Sequence, residues 1–471
     1  MNKTPERDTL AALDKFLYGD YYPVAIATWC FLCFLFNLQT IGLVGLILFT
    51  CLILIKGRDA TPIIPPFLFF ILTIRNFSLL LGAPYIAAYA VFTVCLIYRT
   101  IRFPAKNFRL GELFFPLCLV SVALLLGGVL STYKVYYLNG LSAALAVGPL
   151  VIIIYLFFIN GIRPPKNFDV PLYVCINFIA ATIVGCMELL LVFLTKDENF
   201  LINVRNLGWG NFNTLGAMTL IAIPACCYVI VKTGKSACTF AVIALFIVAD
   251  LLSGSDGSLG IAVFSVPFLT VFTFFRLKKK DRKEFMICLF IVLTALCVAA
   301  IAIINELGLE EILSYTAFRA KDNGRIKLYS KALELFRANP LLGVGQGFRD
   351  ESVYVPATGS LQTFNFHSTL FHVIATMGVL GIIAYAFYYF FRIKILLGRN
   401  AAFNAFAFLS FVLLQAYGLI DTCEFNVIPL MAYATLLILC VELYNEKKGK
   451  DDVFPLLFAN KVFLSDNFYS L

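Results

Sequence analysis

The chain has 471 residues, 61% of them hydrophobic and 14% charged, with a mean hydropathy of +0.89. A soluble domain of this size does not keep such a balance in water, so the composition predicts a polytopic membrane protein and excludes a soluble enzyme. The net charge of +9 comes from lysines and arginines clustered in short connections between apolar runs, as topology determinants do, and no nucleic-acid partner is expected.

The first twenty residues are polar and mixed in charge, and no small-residue cleavage site follows them. The first apolar run is therefore expected to be a retained anchor rather than a removable signal. Apolar runs of spanning length lie near 21–38, 41–55, 61–76, 78–98, 112–131, 137–160, 170–194, 213–231, 237–252, 258–275, 285–304, 367–391, 400–420 and 425–445. They predict about fourteen spans, or twelve to thirteen if the short, Pro-interrupted pair between 41 and 76 ("TPIIPPFLFF") is counted differently. The fold class expected is all-α: a polytopic helical membrane protein with one long extracytoplasmic loop that carries an amphipathic helix. Its parts are a cytoplasmic N-terminus (1–20), N-terminal spans (21–304), the loop (305–366), C-terminal spans (367–446) and a cytoplasmic tail (447–471).

Basic residues fall on alternate connections: Lys56 and Arg58; Arg99, Arg102, Lys106 and Arg109; Arg163 and Lys166; Lys232 and Lys235; "RLKKKDRK" from Arg276; Arg392, Lys394 and Arg399; and the tail "EKKGK". The positive-inside rule makes these cytoplasmic, with both termini inside. The 14 cysteines sit mostly within apolar runs and read as packing residues. Cys30 and Cys33 have CxxC spacing but lack the strand, turn or polar partner that a redox or zinc site requires.

Two outward connections are longer than the rest, and long loops without a domain of their own are usually functional. The first, "TKDENFLINVRNLGWGNFNTLG", holds Arg205, Trp209, Asn211 and Asn213. Arg205 either pairs with Asp197 or Glu198 as a solvated charge or reaches a site shared with the second loop. In that second loop, "GRIKLYSKALELFRANP" has the spacing of an amphipathic helix ended by Asn339-Pro340. Read from periodicity alone it is a surface helix whose cations, Arg325 and Lys327 among them, snorkel at headgroup depth. "LLGVGQGFRD" follows, and Gly343, Gly345 and Gly347 either present amides to phosphate or simply shape the loop; Arg349 ends it. Both histidines of the chain lie just beyond, in "FNFHSTLFHVIATMGVLG". His367 sits where polar loop becomes apolar span and suits general-base work, or equally a cap or interface role. His372, roughly 140° around the helix, cannot share a metal with it and reads as a packing residue. Glu188 and Asp250 fall in or at the end of spans, where an ionisable group is functional by default; Asp256, Asp421 and Glu424 are their outward neighbours.

These pieces resemble the O-antigen ligase and O-antigen polymerase family of bacterial envelope glycosyltransferases. The family pattern of His, then Asn, Ser or Gln, nine residues and Gly-x-x-Gly is met by His367, Ser368 and Gly378-Val-Leu-Gly381. Its Arg-led helix followed by Asn-Pro-Leu-x-Gly-x-Gly is met by "GRIKLYSKALELFRANPLLGVGQGF", and "GWGNFNTLG" is a looser match. One departure stands out: the family usually has an arginine in a Ser-Arg-Gly or Thr-Arg-Gly turn, and "LLSGSDGSLG" has Asp256 there.

The resemblance implies transfer of an oligosaccharide from a polyprenyl (undecaprenyl) diphosphate carrier to an acceptor sugar hydroxyl at the outer face of the cytoplasmic membrane, in O-antigen, lipopolysaccharide, capsule or exopolysaccharide synthesis. The Asp256 departure favours polymerase over ligase. By the same resemblance His367 and Arg325 are catalytic, and Arg205, Lys327, Arg349, Gly343, Gly345 and Ser368 bind substrate. No cofactor or metal is implied. The partners implied are the lipid-linked donor, an acceptor glycan or glycolipid, the bilayer and other polysaccharide-export proteins. The competing reading is a flippase for lipid-linked oligosaccharide, hinted at by Glu188 and "TPIIPPF".

Overall fold

A chain inside a bilayer satisfies its backbone amides and carbonyls either within helices or against neighbouring protein. The computed structural model describes residues 13–72, 83–104, 107–131, 134–194, 212–307, 325–348, 366–399, 401–424 and 428–447, and among these there are helices and turns but no strand. The first half contains α1 (Tyr21–Leu35), α2 (Gln39–Lys56), α3 (Ile64–Leu72), α4 (Ala83–Arg102), α5 (Phe114–Leu126), α6 (Lys134–Val147), α7 (Pro149–Gly161) and α8 (Val170–Leu194). The second contains α9 (Phe212–Thr233), α10 (Ser236–Ser253), α11 (Asp256–Arg276), α12 (Arg282–Leu307), α13 (Arg325–Ala338), α14 (Thr369–Leu396), α15 (Ala402–Gly418) and α16 (Ile428–Lys447).

Every predicted apolar run carries a helix, and one is divided. The run at 137–160 breaks between α6 and α7 at Gly148 (φ −104°, ψ −92°), because Pro149 has no N–H to continue the ladder and its ring disfavours helical backbone before it. Among the described residues, seven of these helices and the stretch Ala143–Gly161 across the Gly148 break are long and apolar enough to cross a membrane, and four shorter apolar helices accompany them. The chain is a polytopic helical membrane protein.

Burial sorts the helices. α9 packs against α8, α10, α11 and α15 and is 89% buried along its span. Its small residues permit this: a Cβ on Gly216 would sit 2.3 Å from Ser258 Oγ on α11. α11 is by contrast only 28% buried and turns Phe264, Phe268 and Phe275 outward, as a lipid-facing helix does. α13 is the amphipathic helix expected from the loop. It buries Ala332 and Leu335 against Val344, Phe348, Phe366 and Ala375, so its apolar face is committed to protein and packs on α14.

One end of the bundle gathers most of the basic connections. Lys56 pairs with Asp14 and Arg109 with Glu446; Lys232 lies 2.7 Å from Asp169 and Lys394 2.7 Å from Glu112. Pairs as exposed as these contribute at most about 1 kcal/mol each, but they show that connections distant in sequence lie side by side. Arg392, grouped with these cations on sequence grounds, lies instead inside α14 with 1% of its side chain exposed.

α14 is broken. Gly378 adopts φ 62°, ψ −150°, a region open to glycine alone, and the backbone groups freed there are taken up by the loop after α13. Val379 N donates to Pro340 O at 2.8 Å and Leu380 N to Leu341 O at 3.2 Å, while Val344 N and Gly345 N donate to Ala375 O and Thr376 O at 2.9 Å each. A Cβ on Gly378 would stand 2.5 Å from Pro340 O, and one on Gly343 would stand 2.4 Å from the Thr376 carbonyl carbon. The two glycine motifs are therefore halves of one interlock.

Gly378→Ala is expected to cost about 1–3 kcal/mol from backbone strain, with the clash added. Gly260→Ala on α11, where an added Cβ meets nothing within 4 Å, is expected to be neutral or stabilising by up to ~1 kcal/mol. Thermal melting of both variants in detergent checks the contrast; equal melting points would show that the interlock is not a constraint.

Candidate active site

The end of the bundle opposite the basic connections collects polar side chains from five helices. His367 immediately precedes α14 and has φ +48°, left-handed backbone that a non-glycine residue adopts only when its surroundings hold it there. Two contacts do so. Tyr329, one turn into α13, donates its hydroxyl to His367 O at 3.0 Å, and its ring stacks on Phe371 with centroids 4.3 Å apart and planes at 10°. Ser368, not His367, is the residue that caps α14; it is buried, its side chain makes no cap bond, and its carbonyl accepts from His372 N at 2.9 Å.

The His367 side chain meets Asp421, in the connection after α15: Nδ1 to Oδ1 is 3.2 Å, with 37% of the histidine side chain and 6% of the aspartate side chain exposed. Asp421 is held from two other directions. Asn213 at the start of α9 donates Nδ2 to Oδ2 at 2.7 Å, and Thr422 N donates to Oδ1 at 2.7 Å. An ionised carboxylate only accepts, so the Asp421 contact assigns the proton to His367 Nδ1 and leaves the lone pair on Nε2. That is the state a general base needs.

Arg325 opens α13 one turn before Tyr329. It lies within electrostatic range of Tyr417 near the end of α15, as Asp421 does. The Tyr417 hydroxyl is 3.2 Å from Ser255 Oγ in the turn between α10 and α11. This turn is the one where Asp256 replaces the expected arginine. Asp256 is exposed in the first turn of α11, where a carboxylate complements the helix N-terminus, so the turn borders the site with the opposite charge.

The remaining predicted residues divide. Lys327 is exposed on the outer face of α13. Gly343 and Gly345 lie under the site with their amides engaged, Gly343 N on Asn339 O and Gly345 N on Thr376 O, both at 2.9 Å. They shape the loop that clamps α14. Arg205 and Arg349 lie outside the described residues. His372 is 1% exposed, with Nε2 2.8 Å from Gln346 Oε1, and pins the glycine loop to α14. Asp250 is buried against Thr219 Oγ1 at 2.9 Å, and Glu188 is buried in α8.

Sequence reasoning placed Asp421 and Asn213 on the outward side without assigning them a part. A signal was there: each stands just outside an apolar run, on the same side of the membrane as His367 by the alternation of spans. Cys423, two residues beyond Asp421, is not a second nucleophile. Burial, with the Asp421 and Glu424 carboxylates adding to it, pushes its thiol well above the usual range, so the thiolate is not formed at neutral pH.

Two comparisons bear on this arrangement. No curated protein sequence matches the chain. Residues 240–386 match the sequence family described as O-antigen ligase. The matched stretch runs from within α10 past the break in α14 and includes Arg325, both glycine motifs and His367, whereas Asn213 and Asp421 lie outside it. The region that contributes His367 and Arg325 to this site is thus similar to the O-antigen ligase family.

Proposed function

We propose that this protein is a membrane glycosyltransferase of the O-antigen ligase or polymerase type that uses a polyprenyl diphosphate-linked oligosaccharide as donor. The observation that carries the reading is the His367–Asp421 pair, a half-exposed imidazole oriented by a buried carboxylate.

The chemistry follows from these groups. The acceptor sugar hydroxyl gives its proton to His367 Nε2 as its oxygen bonds to the anomeric carbon of the donor. The bond from that carbon to the carrier's diphosphate oxygen breaks with its electron pair, and the lipid diphosphate leaves. Asp421 holds the imidazole in the reactive tautomer and stabilises the imidazolium. Arg325 meets the charge that develops on the leaving oxygen, with Lys327, Arg205 and Arg349 as further cations for the diphosphate. His367 regains its starting state by releasing the proton to water.

The basic end is cytoplasmic by charge bias, so the site faces outward, where a lipid-linked donor arrives sideways from the bilayer and no soluble nucleotide sugar is needed. Asp256, in the turn where the family usually has an arginine, favours a second lipid-linked repeat over a lipid A core as acceptor. The reading is therefore of a polymerase in preference to a ligase, serving O-antigen, capsule or exopolysaccharide synthesis in the inner membrane.

Glycan chain length and lipid-linked intermediates in cells lacking the protein, complemented at equal membrane abundance, test this. His367→Ala is expected to reduce transfer by about 10²–10⁴-fold and Arg325→Ala by about 10²–10³-fold, both leaving single repeats on the carrier. Wild-type chains from both would sink the mechanism.

Asp421→Asn retains the size of the side chain but presents an amide to Nδ1. Its transfer rate is expected to fall on the order of 10²-fold or more, with donor KM nearly unchanged, as measured with purified enzyme and lipid-linked donor. His372→Ala, in contrast, is expected to lower the melting temperature through loss of its packing and its bond to Gln346, yet to retain long chains.

A further inference from the structure

The connection after α15 is attached to α14 at successive points. Asp421 meets His367, Cys423 N donates to Thr369 Oγ1 at 3.2 Å, and Glu424 turns to the interior to meet Arg392. Arg392 Nη1 is 2.6 Å from each Glu424 carboxylate oxygen, and the two side chains are 1% and 2% exposed. Glu424 Oε1 also accepts from Gln415 Nε2 at 3.1 Å. The Arg392 guanidinium lies over the rings of Phe411, 4.6 Å away, and Tyr388, 4.9 Å away.

A buried ion pair in a membrane protein is poor evidence of a stability device, because an apolar pair of the same volume usually serves stability as well. What an apolar pair cannot do is fix direction. One guanidinium nitrogen meeting both oxygens of a carboxylate, with the guanidinium seated over the Phe411 and Tyr388 rings, sets the register of the segment bearing the carboxylate. That segment also bears Asp421, three residues earlier, and the partner of Asp421 stands at the head of the same helix that carries Arg392. His367 and Arg392 lie on opposite sides of the break at Gly378, so the two ties span both halves of α14.

We propose that Arg392 and Glu424 are positioning residues: a buried clasp that holds the connection after α15 in the register that places Asp421 against His367. The clasp acts through Asp421 and touches no substrate. Its effect on turnover rests on the transferase reading above; its effect on the connection does not.

The test compares the wild type with Arg392→Met/Glu424→Leu, which removes both charges and leaves neither one buried alone. Two readouts are taken in native membranes and in purified protein. The first is alkylation of Cys423 by N-ethylmaleimide, resolved by peptide mass spectrometry; this thiol is 1% exposed and should be protected in the wild type. The second is transfer from a polyprenyl diphosphate-linked oligosaccharide. The double variant is expected to accumulate and melt like the wild type, to alkylate at Cys423 at least about 5-fold faster and to lose at least about 10-fold in kcat with donor KM within about 3-fold.

Arg392→Lys maintains the charge without the guanidinium that lies over Phe411 and Tyr388 and should show a smaller kcat loss, which keeps the proposal testable if the double variant is degraded. A protected Cys423 with wild-type kcat in the double variant, or a full kcat in Arg392→Lys together with a protected Cys423, overturns the clasp. Faster alkylation in the double variant, from a wild type that transfers no glycan, upholds the clasp and defeats the functional reading instead.

Discussion

A helix that breaks inside a membrane has to find partners for the amides and carbonyls it frees, since lipid offers none. α14 finds them in residues 340–345, and most of what surrounds His367 depends on that exchange. Because Val344 and Gly345 donate to Ala375 and Thr376 while Val379 and Leu380 donate to Pro340 and Leu341, the loop after α13 is locked to the helix that begins just beyond His367. α13 is carried with it, and so are Arg325 and Tyr329. One glycine of each motif has a mechanical cause: Gly343 and Gly378 each stand where a Cβ would collide with the other side of the interlock. Placing these glycines on a phosphate is an attractive reading of the sequence, but the Gly343 amide is engaged with Asn339 O and the Gly345 amide with Thr376 O of α14.

Charge placement follows a complementary logic. At the basic end, exposed pairs such as Lys232–Asp169 and Lys394–Glu112 tie connections together at little energetic consequence. At the opposite end the described polar residues are directed at one another: Asn213 and Thr422 on Asp421, Asp421 on His367, Tyr329 on the His367 carbonyl. The first arrangement is solvated and tolerant; the second holds one imidazole in a fixed orientation. A left-handed backbone at His367 is the strain that such an arrangement has to hold, and helices from both sides of the bundle hold it.

The division of the chain between matched and unmatched parts carries a further lesson. The region similar to the O-antigen ligase family holds His367 and Arg325. The carboxylate that meets the imidazole comes from the connection after α15, and the amide that meets the carboxylate comes from the head of α9. A match over one segment thus omits the groups that orient His367, because orientation is supplied by whichever neighbours the bundle brings alongside.

Local patterns were enough to read the apolar runs, the amphipathic helix at Arg325–Ala338 and the place of His367 where polar loop becomes apolar span. Each is encoded in residues adjacent along the chain, where hydropathy, periodicity and spacing act directly. The split at Pro149 was also written locally, though hydropathy alone ran across it. What only the tertiary structure decided are the contacts between residues far apart in sequence: Asp421 with His367 across 54 positions and with Asn213 across 208, and Arg392 with Glu424, withdrawn from the basic connections into the interior. Hydropathy assigns a residue to a side of the membrane but not to a neighbour around the bundle, and that neighbour is set by which helices pack together.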